Sequence, residues 1–380
     1  MTPTFLAIAV KLGTGSAQYI IAKILMDWRT MGLGQTEPSS FKKNYFFQVI
    51  VYLSSFLIIL PLFYQECRKF NVSRKLSGLP AKHAFSLNSY LITFLPSFLD
   101  FLAVTLSLFS NKYLPVTTSI LLKSLRIVVT AFLTGPLLGH PQQPYNWLGV
   151  FLTVVGVVPT ALAASFRVAD KKDSVWIYIM LTVVAEVMRG FRSVFEERLM
   201  KKQKLSAEFV TFCESALGLI LSLVLWLVVH LIPGTDNGSL ESIPDTFHRL
   251  GGSSVAIILL TGNLILVGIH NYSNSLVTKY LTAVHCAVIG QVRPLFTWVP
   301  NIIIWRICVQ CNAYEMKKGK VQAYYGEPLD LYSIFEIIGM IVIALGTLIY
   351  SGILKVPFVA LYPNDQQKKP EDSDTPKIQV

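Results

Sequence analysis

Apolar residues in this chain gather into ten runs of about twenty, each closed by a short polar break. A run of that length crosses the hydrocarbon core of a bilayer as one helix. The runs fall at about 4–26, 44–65, 89–109, 115–136, 146–166, 174–195, 206–231, 254–275, 281–304 and 332–354. They predict an all-α membrane protein with ten transmembrane helices. Most connections are short, and the longer ones are 67–88, 232–253 and 305–331. No basic leader or small-residue cleavage pattern flanks the first run, so it reads as a retained span. The polar, proline-containing end, 359–380, is expected to be a disordered tail.

The chain also matches itself. Residues 112–133 read KYLPVTTSILLKSLRIVVTAFL and residues 279–300 read KYLTAVHCAVIGQVRPLFTWVP. At a constant offset of 167, Lys112, Tyr113, Leu114, Arg126 and Thr130 pair with Lys279, Tyr280, Leu281, Arg293 and Thr297. The match joins spans 4 and 9, five spans apart. An odd number of spans per unit makes the second unit enter the membrane from the opposite side, which is the inverted repeat of many secondary transporters. Low-complexity apolar sequence produces chance matches, but paired intramembrane arginines are not a common accident. The domains predicted are a five-helix repeat over 1–170 and a second over 171–358.

Arg126 lies about eleven residues into its span, roughly 16 Å from the start, and Arg293 lies at a similar depth. A charge at mid-bilayer costs at least about 3 kcal/mol, so each needs a partner or a wet cavity. Ser119, Lys123, Arg126 and Thr130 recur at helical spacing on span 4. Thr282, His285, Arg293 and Thr297 do the same on span 9, Ser97, Asp100, Ser107 and Asn111 on span 3, and Asn263, His270, Asn274 and Thr278 on span 8. Four polar stripes are easiest to accommodate around a shared hydrated pathway. The candidate substrate-binding set is therefore Arg126, Arg293, Lys123, Asp100, Asn263, His270, Asn274, His285, Thr130 and Thr297. Its cations favour phosphate- or carboxylate-bearing solutes. The competing reading is that Arg126 pairs with Asp100, and Arg293 with another buried carboxylate, only to lock helices. His270 and His285 are proton-relay candidates or ordinary packing residues. Glu186, Arg189, Arg192, Glu196, Glu197 and Arg198 end span 6 as an anchoring collar, with Glu214 on span 7 facing Arg189 or Arg192. For Lys11 and Lys23 in span 1, pathway and snorkelling roles stay open. Gly149 and Gly156, like Gly339 and Gly346, are seven residues apart and share a helix face, marking a homodimer or bundle-closing contact through helices 5 and 10.

Composition agrees with a lipid environment. Of 380 residues 53% are hydrophobic and 14% charged, where a soluble domain carries about 25% charged. The net charge of +11 sits mostly in connections, where it reads as topology and headgroup contact. No basic stretch interleaves with aromatics to stack bases, so no nucleic-acid partner is expected. The five cysteines are too few and too odd for a disulfide framework, and Cys308-x-x-Cys311 stands without a second pair. No metal or other cofactor is expected. An intramembrane enzyme would need a nucleophile–base pair or a metal cluster at one depth, and no such spacing occurs.

Short matches in fixed order give the chain a family likeness. They are Thr14-Gly-Ser and Ala22-Lys23, Phe94-Leu-Pro with Asp100, Leu125-Arg126, Trp147-Leu-Gly, Glu196-Glu197, and Glu214 with Gly218. They continue with Gly262-Asn263, Asn271, Val277-Thr-Lys279, Arg293, Trp298, and Gly346-Thr with Tyr350 and Gly352. The chain resembles the drug/metabolite transporter superfamily, and within it the member-six type of solute carrier family 35 subfamily F. The resemblance implies ten helices in two inverted repeats, cytosolic termini, and carriage of metabolites across an endomembrane (Golgi or lysosome-like vacuole) by alternating access. Nucleotide-sugar exchangers belong to the same superfamily. Lys11, Lys123 and the segment 307–329 depart from the pattern.

The function expected is secondary transport of a small anionic metabolite, nucleotide-sugar-like or another organic solute, by alternating access. The alternative is a non-transporting membrane adaptor that kept the fold. Fourteen Lys and Arg on the side of the termini against twelve opposite favour cytosolic termini. That topology puts the Asn237-Gly-Ser sequon in the lumen and Asn71-Val-Ser in the cytosol. In a eukaryotic host, glycosidase treatment should therefore shift the wild type and Asn71→Gln on a gel but not Asn237→Gln; sugar on Asn71 would invert the topology.

Overall fold

The computed structural model describes residues 3–76, 86–111, 114, 119, 122–139, 143–168, 175–290, 293–311, 314–317, 320–323, 331–350, 352 and 354. Its helices are α1 (Pro3–Asp27), α2 (Asn44–Leu76), α3 (Leu87–Asn111), α4 (Arg126–Leu138), α5 (Pro144–Val168) and α6 (Val175–Lys201). They continue as α7 (Ala207–Leu231), the short α8 (Ile243–Gly251), α9 (Ser254–Tyr280), α10 (Ala283–Gly290), α11 (Arg293–Gln310) and α12 (Tyr332–Tyr350). The expected tail, 359–380, lies outside the described residues.

Six helical stretches are long and apolar enough to cross a membrane: Thr4–Asp27, Asn44–Val72, Leu87–Ser110, Ala207–Leu231, Ser254–Tyr280 and Ser333–Tyr350. The other four runs are helical too, but shorter, broken or charged. α6 is long and carries Glu186, Arg189, Arg192 and Glu196 in its middle. Span 4 is not the continuous helix expected. Lys123–Leu125 forms a 3-10 turn before α4 opens at Arg126. On span 9, helix is described over Ala283–Gly290 (α10) and Arg293–Gln310 (α11), and residues 291–292 between them lie outside the described residues. Large apolar side chains such as Phe151 and Val158 on α5, Ile177 and Met180 on α6, and Ile220 and Leu227 on α7 face outward. Such a surface suits lipid, and the chain is a multi-pass membrane protein.

α5 and α12 make the closest helix pair. A Cβ on Gly149 would lie 2.6 Å from the Gly346 carbonyl oxygen, and one on Gly156 2.9 Å from that of Gly339. The glycine faces legible in the sequence therefore meet each other within one chain.

Irregular connections carry structure of their own. β1 (Arg29–Thr30) pairs antiparallel with β2 (Ser39–Ser40), and β4 (Tyr314–Lys317) with β5 (Lys320–Ala323) inside the apparent insertion. β3 (Pro233–Asp236) bridges to Ser239. Cys308 is buried and Cys311 exposed, and neither is in a disulfide. Asn71 sits in the last turns of α2, whereas Asn237 holds a left-handed turn at φ 48°.

The 28–43 and 232–253 connections lock together beside the bundle. Lys43 donates to Asp236 and to Asp245, the latter at 2.5 Å. Arg249 donates to Asp245 at 2.6 Å and to the Thr30 carbonyl at 3.3 Å. Phe41, Phe46, Phe47, Trp226 and Leu250 pack beneath. Glu241 caps α2 by accepting the N–H groups of Tyr45 at 3.0 Å and Phe46 at 2.8 Å. Burial resists the ionised form of Asp245, but hydrogen bonds from Lys43, Arg249 and the Leu33 N–H prevail and hold its pKa at about 2. At Glu241 burial prevails and raises the pKa to about 7 despite the two N–H donors. Between the ordinary glutamate range and pH 7, the folded chain thus keeps a proton that the unfolded chain has lost. The contribution of Glu241 to stability falls as pH rises through that window and stays low above it. The melting temperature of Glu241→Gln minus that of the wild type should accordingly increase from pH 5 to pH 8; a constant difference refutes the linkage.

Candidate functional site

Within the bundle lies a cavity of about 240 Å³. Lys11, Gln18, Tyr19 and Lys23 line it from α1, and Asp100 and Ser107 from α3. Ser119, Lys123 and Arg126 reach it from the broken fourth span, and Arg189 and Arg192 from α6. Asn263, His270, Asn271 and Asn274 of α9, Cys286 of α10 and Arg293 of α11 complete its polar wall. Seven of the ten sequence candidates come together here: Arg126, Arg293, Lys123, Asp100, Asn263, His270 and Asn274.

Three do not. Thr130 donates to the carbonyls of Arg126 and Ile127, and Thr297 to that of Arg293, so both hydroxyls serve their own helices. His285 is exposed near the start of α10 and bonds Thr282 at 2.7 Å.

The ion pairs differ from those expected. Arg126 meets Glu186, not Asp100, with Nη2 3.1 Å from Oε2, and Arg189 holds the other oxygen of Glu186. Asp100 instead meets Arg192 at 2.7 Å and accepts from Tyr52 at 2.9 Å. Arg192 reaches Glu214 at 2.6 Å, as one of the two options allowed, and Glu196 at 2.7 Å. The supposed collar is therefore largely internal. Glu186 and Glu196 are fully buried. Glu197 accepts from the Ala283 N–H at 2.8 Å, at the positive end of α10, and pairs with Lys201 at 2.8 Å.

Arg293 has no carboxylate within ion-pair distance among the described residues, contrary to the helix-locking alternative. Its Nη2 lies 3.2 Å from His270 Nε2, and its guanidinium carbon lies 5.4 Å from the centre of the Tyr19 ring. His270 Nδ1 lies 3.1 Å from the Lys11 carbonyl. A carbonyl can only accept, which assigns the proton to Nδ1 and leaves Nε2 to accept from Arg293. His270 thus orients an arginine, and this bonding gives it no proton to relay onward. Lys123 donates to the Tyr19 hydroxyl at 2.5 Å. Lys11, fully buried, donates to the Cys286 carbonyl at 2.6 Å and its sulfur at 2.7 Å, which settles it as a wall residue rather than a snorkelling one. Lys23 pairs with Asp27 at 3.3 Å. Asn274 Oδ1 accepts from the Cys286 thiol at 3.1 Å. Asn263 Oδ1 and the hydroxyls of Ser107 and Ser119 are buried without hydrogen-bond partners.

Sequence reasoning missed Tyr19 altogether, since one aromatic in an apolar run carries no signal. It saw Arg189 and Arg192 but set them at the membrane edge. Recognising that α6 runs on to Lys201 would have moved them inward.

Apolar helices packed around a charged internal cavity are the build of a multi-pass membrane transporter. Over residues 33–291 the sequence matches the model of the UAA transporter family, and the chain belongs to that family; it is a transporter, not an enzyme. It is similar to solute carrier family 35 member F6 of Rattus norvegicus and of Mus musculus, each 23% identical over 358 residues, covering 92% of this chain and 88% of the relative. The Homo sapiens member is 22% identical over the same coverage.

Losing Glu186 would strand two guanidinium groups inside the bundle. Glu186→Gln should lower stability by about 3–5 kcal/mol, and by more than Glu186→Gln combined with Arg126→Gln. Thermal unfolding in detergent reads both variants; equal losses would mean that the pair is not coupled.

Proposed function

We propose that the chain carries a small anionic metabolite, of the nucleotide-sugar or organic-anion type, across a membrane by alternating access. The observation that carries this reading is the charge balance of the cavity. Lys11, Lys123 and Arg293 all line it, and among the described residues none has a carboxylate within ion-pair distance. Three cations so placed await negative charge from outside the protein.

The reading includes ten spans in two inverted five-helix repeats, 1–170 and 171–358. Arg126 and Arg293, the arginines matched at an offset of 167, both line the cavity. That shared placement supports the repeat. A broken helix lining a cavity, as span 4 does, is a common device for binding a charged solute at mid-membrane. Family membership and the similarity to solute carriers support the class of activity. Cytosolic termini and an endomembrane site, Golgi or lysosome-like vacuole, complete the proposal. A homodimer through helices 5 and 10 would use the outer faces of α5 and α12, because their glycine faces are occupied within the chain.

The test is uptake by proteoliposomes offered anionic, zwitterionic and cationic metabolites. Anions should be preferred, and Arg293→Gln should reduce their uptake about tenfold or more while leaving the melting profile near that of the wild type. Preference for cations would overturn the reading. Absence of all uptake, with Arg126 and Arg293 removable at no cost to partner binding, would favour the adaptor.

A further inference from the structure

Tyr19 stands on α1 between two cations from different parts of the bundle. Its hydroxyl accepts from Lys123 at 2.5 Å, and its ring centre lies 4.2 Å from the same ammonium and 5.4 Å from the Arg293 guanidinium carbon. Lys123 has no carboxylate in reach among the described residues and has taken a neutral phenol oxygen instead. An ionised oxygen would be the stronger acceptor for the same donor.

Donors around this point are left over. Among the described residues Arg293 Nε is buried without an acceptor, and so is the Ser119 hydroxyl, which belongs to a residue only 3% exposed on the cavity wall. The ring face, negative in its quadrupole, spreads over both cations. Tyr19 thus offers weak substitutes for what an oxyanion would supply: an acceptor oxygen for Lys123 and negative potential for Arg293.

We propose that Tyr19 is an internal stand-in for the cargo. Its hydroxyl holds Lys123 while the cavity is empty, and an oxyanion of the cargo displaces it to lie between Lys123 and Arg293. Tyr19 then sets affinity by competition: it keeps the cations apart in the empty carrier and helps expel the anion on release. This rests on the anionic-cargo reading above.

The experiment is calorimetric titration of the purified full chain in detergent, with inorganic pyrophosphate and malonate as probes of the phosphate and carboxylate classes. Lys123→Met and Arg293→Met should each weaken binding of the preferred probe about tenfold or more. Tyr19→Phe should tighten it roughly three- to tenfold, by removing one competing hydrogen bond to a charged donor. Tyr19→Leu, which removes the ring as well, should also tighten it, and neither effect should survive in the Lys123→Met background. If the cation variants weaken binding but both Tyr19 variants leave it unchanged or weaker, Tyr19 is not a competitor and only this proposal falls. If neither probe binds the wild type, or binding ignores Lys123 and Arg293, the anionic-cargo reading falls and takes the stand-in with it.

Discussion

A guanidinium or ammonium group placed within the thickness of a bilayer must be paired, hydrated or excluded, and the middle of this bundle is organised by that constraint. α6 answers it most directly. Along about three turns it sets Glu186, Arg189, Arg192 and Glu196, and these take in Arg126 from α4, Asp100 from α3 and Glu214 from α7. Four helices are thereby tied at one level by charge, where apolar side chains alone would give no preferred register in lipid. Replacing such a network with apolar residues need not cost stability. Its value here is in specifying which helix faces which.

The same constraint, left unmet, defines the other side of the cavity. Where α6 supplies carboxylates, the cations are quiet. Lys11, Lys123 and Arg293 lie outside its reach and make do with a thiol and a carbonyl, a phenol, and an imidazole. The cavity is thus electrostatically lopsided, neutralised along α6 and positive at α1, at the 3-10 turn before α4 and at α11. A solute with one charged end and one neutral end would meet a matching gradient, with Asn263 and Ser107 among the uncharged groups still lacking partners.

Much of this was legible in the chain. Run length and hydropathy gave the helices, and of the ten candidates drawn from helical spacing seven line the cavity. What failed did so for physical reasons. Thr130 and Thr297 share the polar stripes, but a helical threonine can bond its own preceding turn, and periodicity cannot see that choice. His285 sits in the first turn of α10 and bonds Thr282 there, an arrangement at a helix end that a stripe drawn through one long span does not show. Arg126 was matched with Asp100 because both are at mid-depth. Depth fixes only one coordinate, and the azimuth that brings in Glu186 depends on how α4 rotates against α6. The ribbons β1–β2 and β4–β5 are too short to leave a periodic trace.

Gly149 and Gly346 bring two backbones nearly into touch, and Gly156 with Gly339 does so again two turns along. Atoms that close leave no room for sliding or axial rotation, since any side chain swept into the seam would collide with a carbonyl. α5 and α12 therefore behave as a single stiff post. Under the proposed alternating access, the rocking would be carried by the remaining helices turning about it, much as a door swings on its frame.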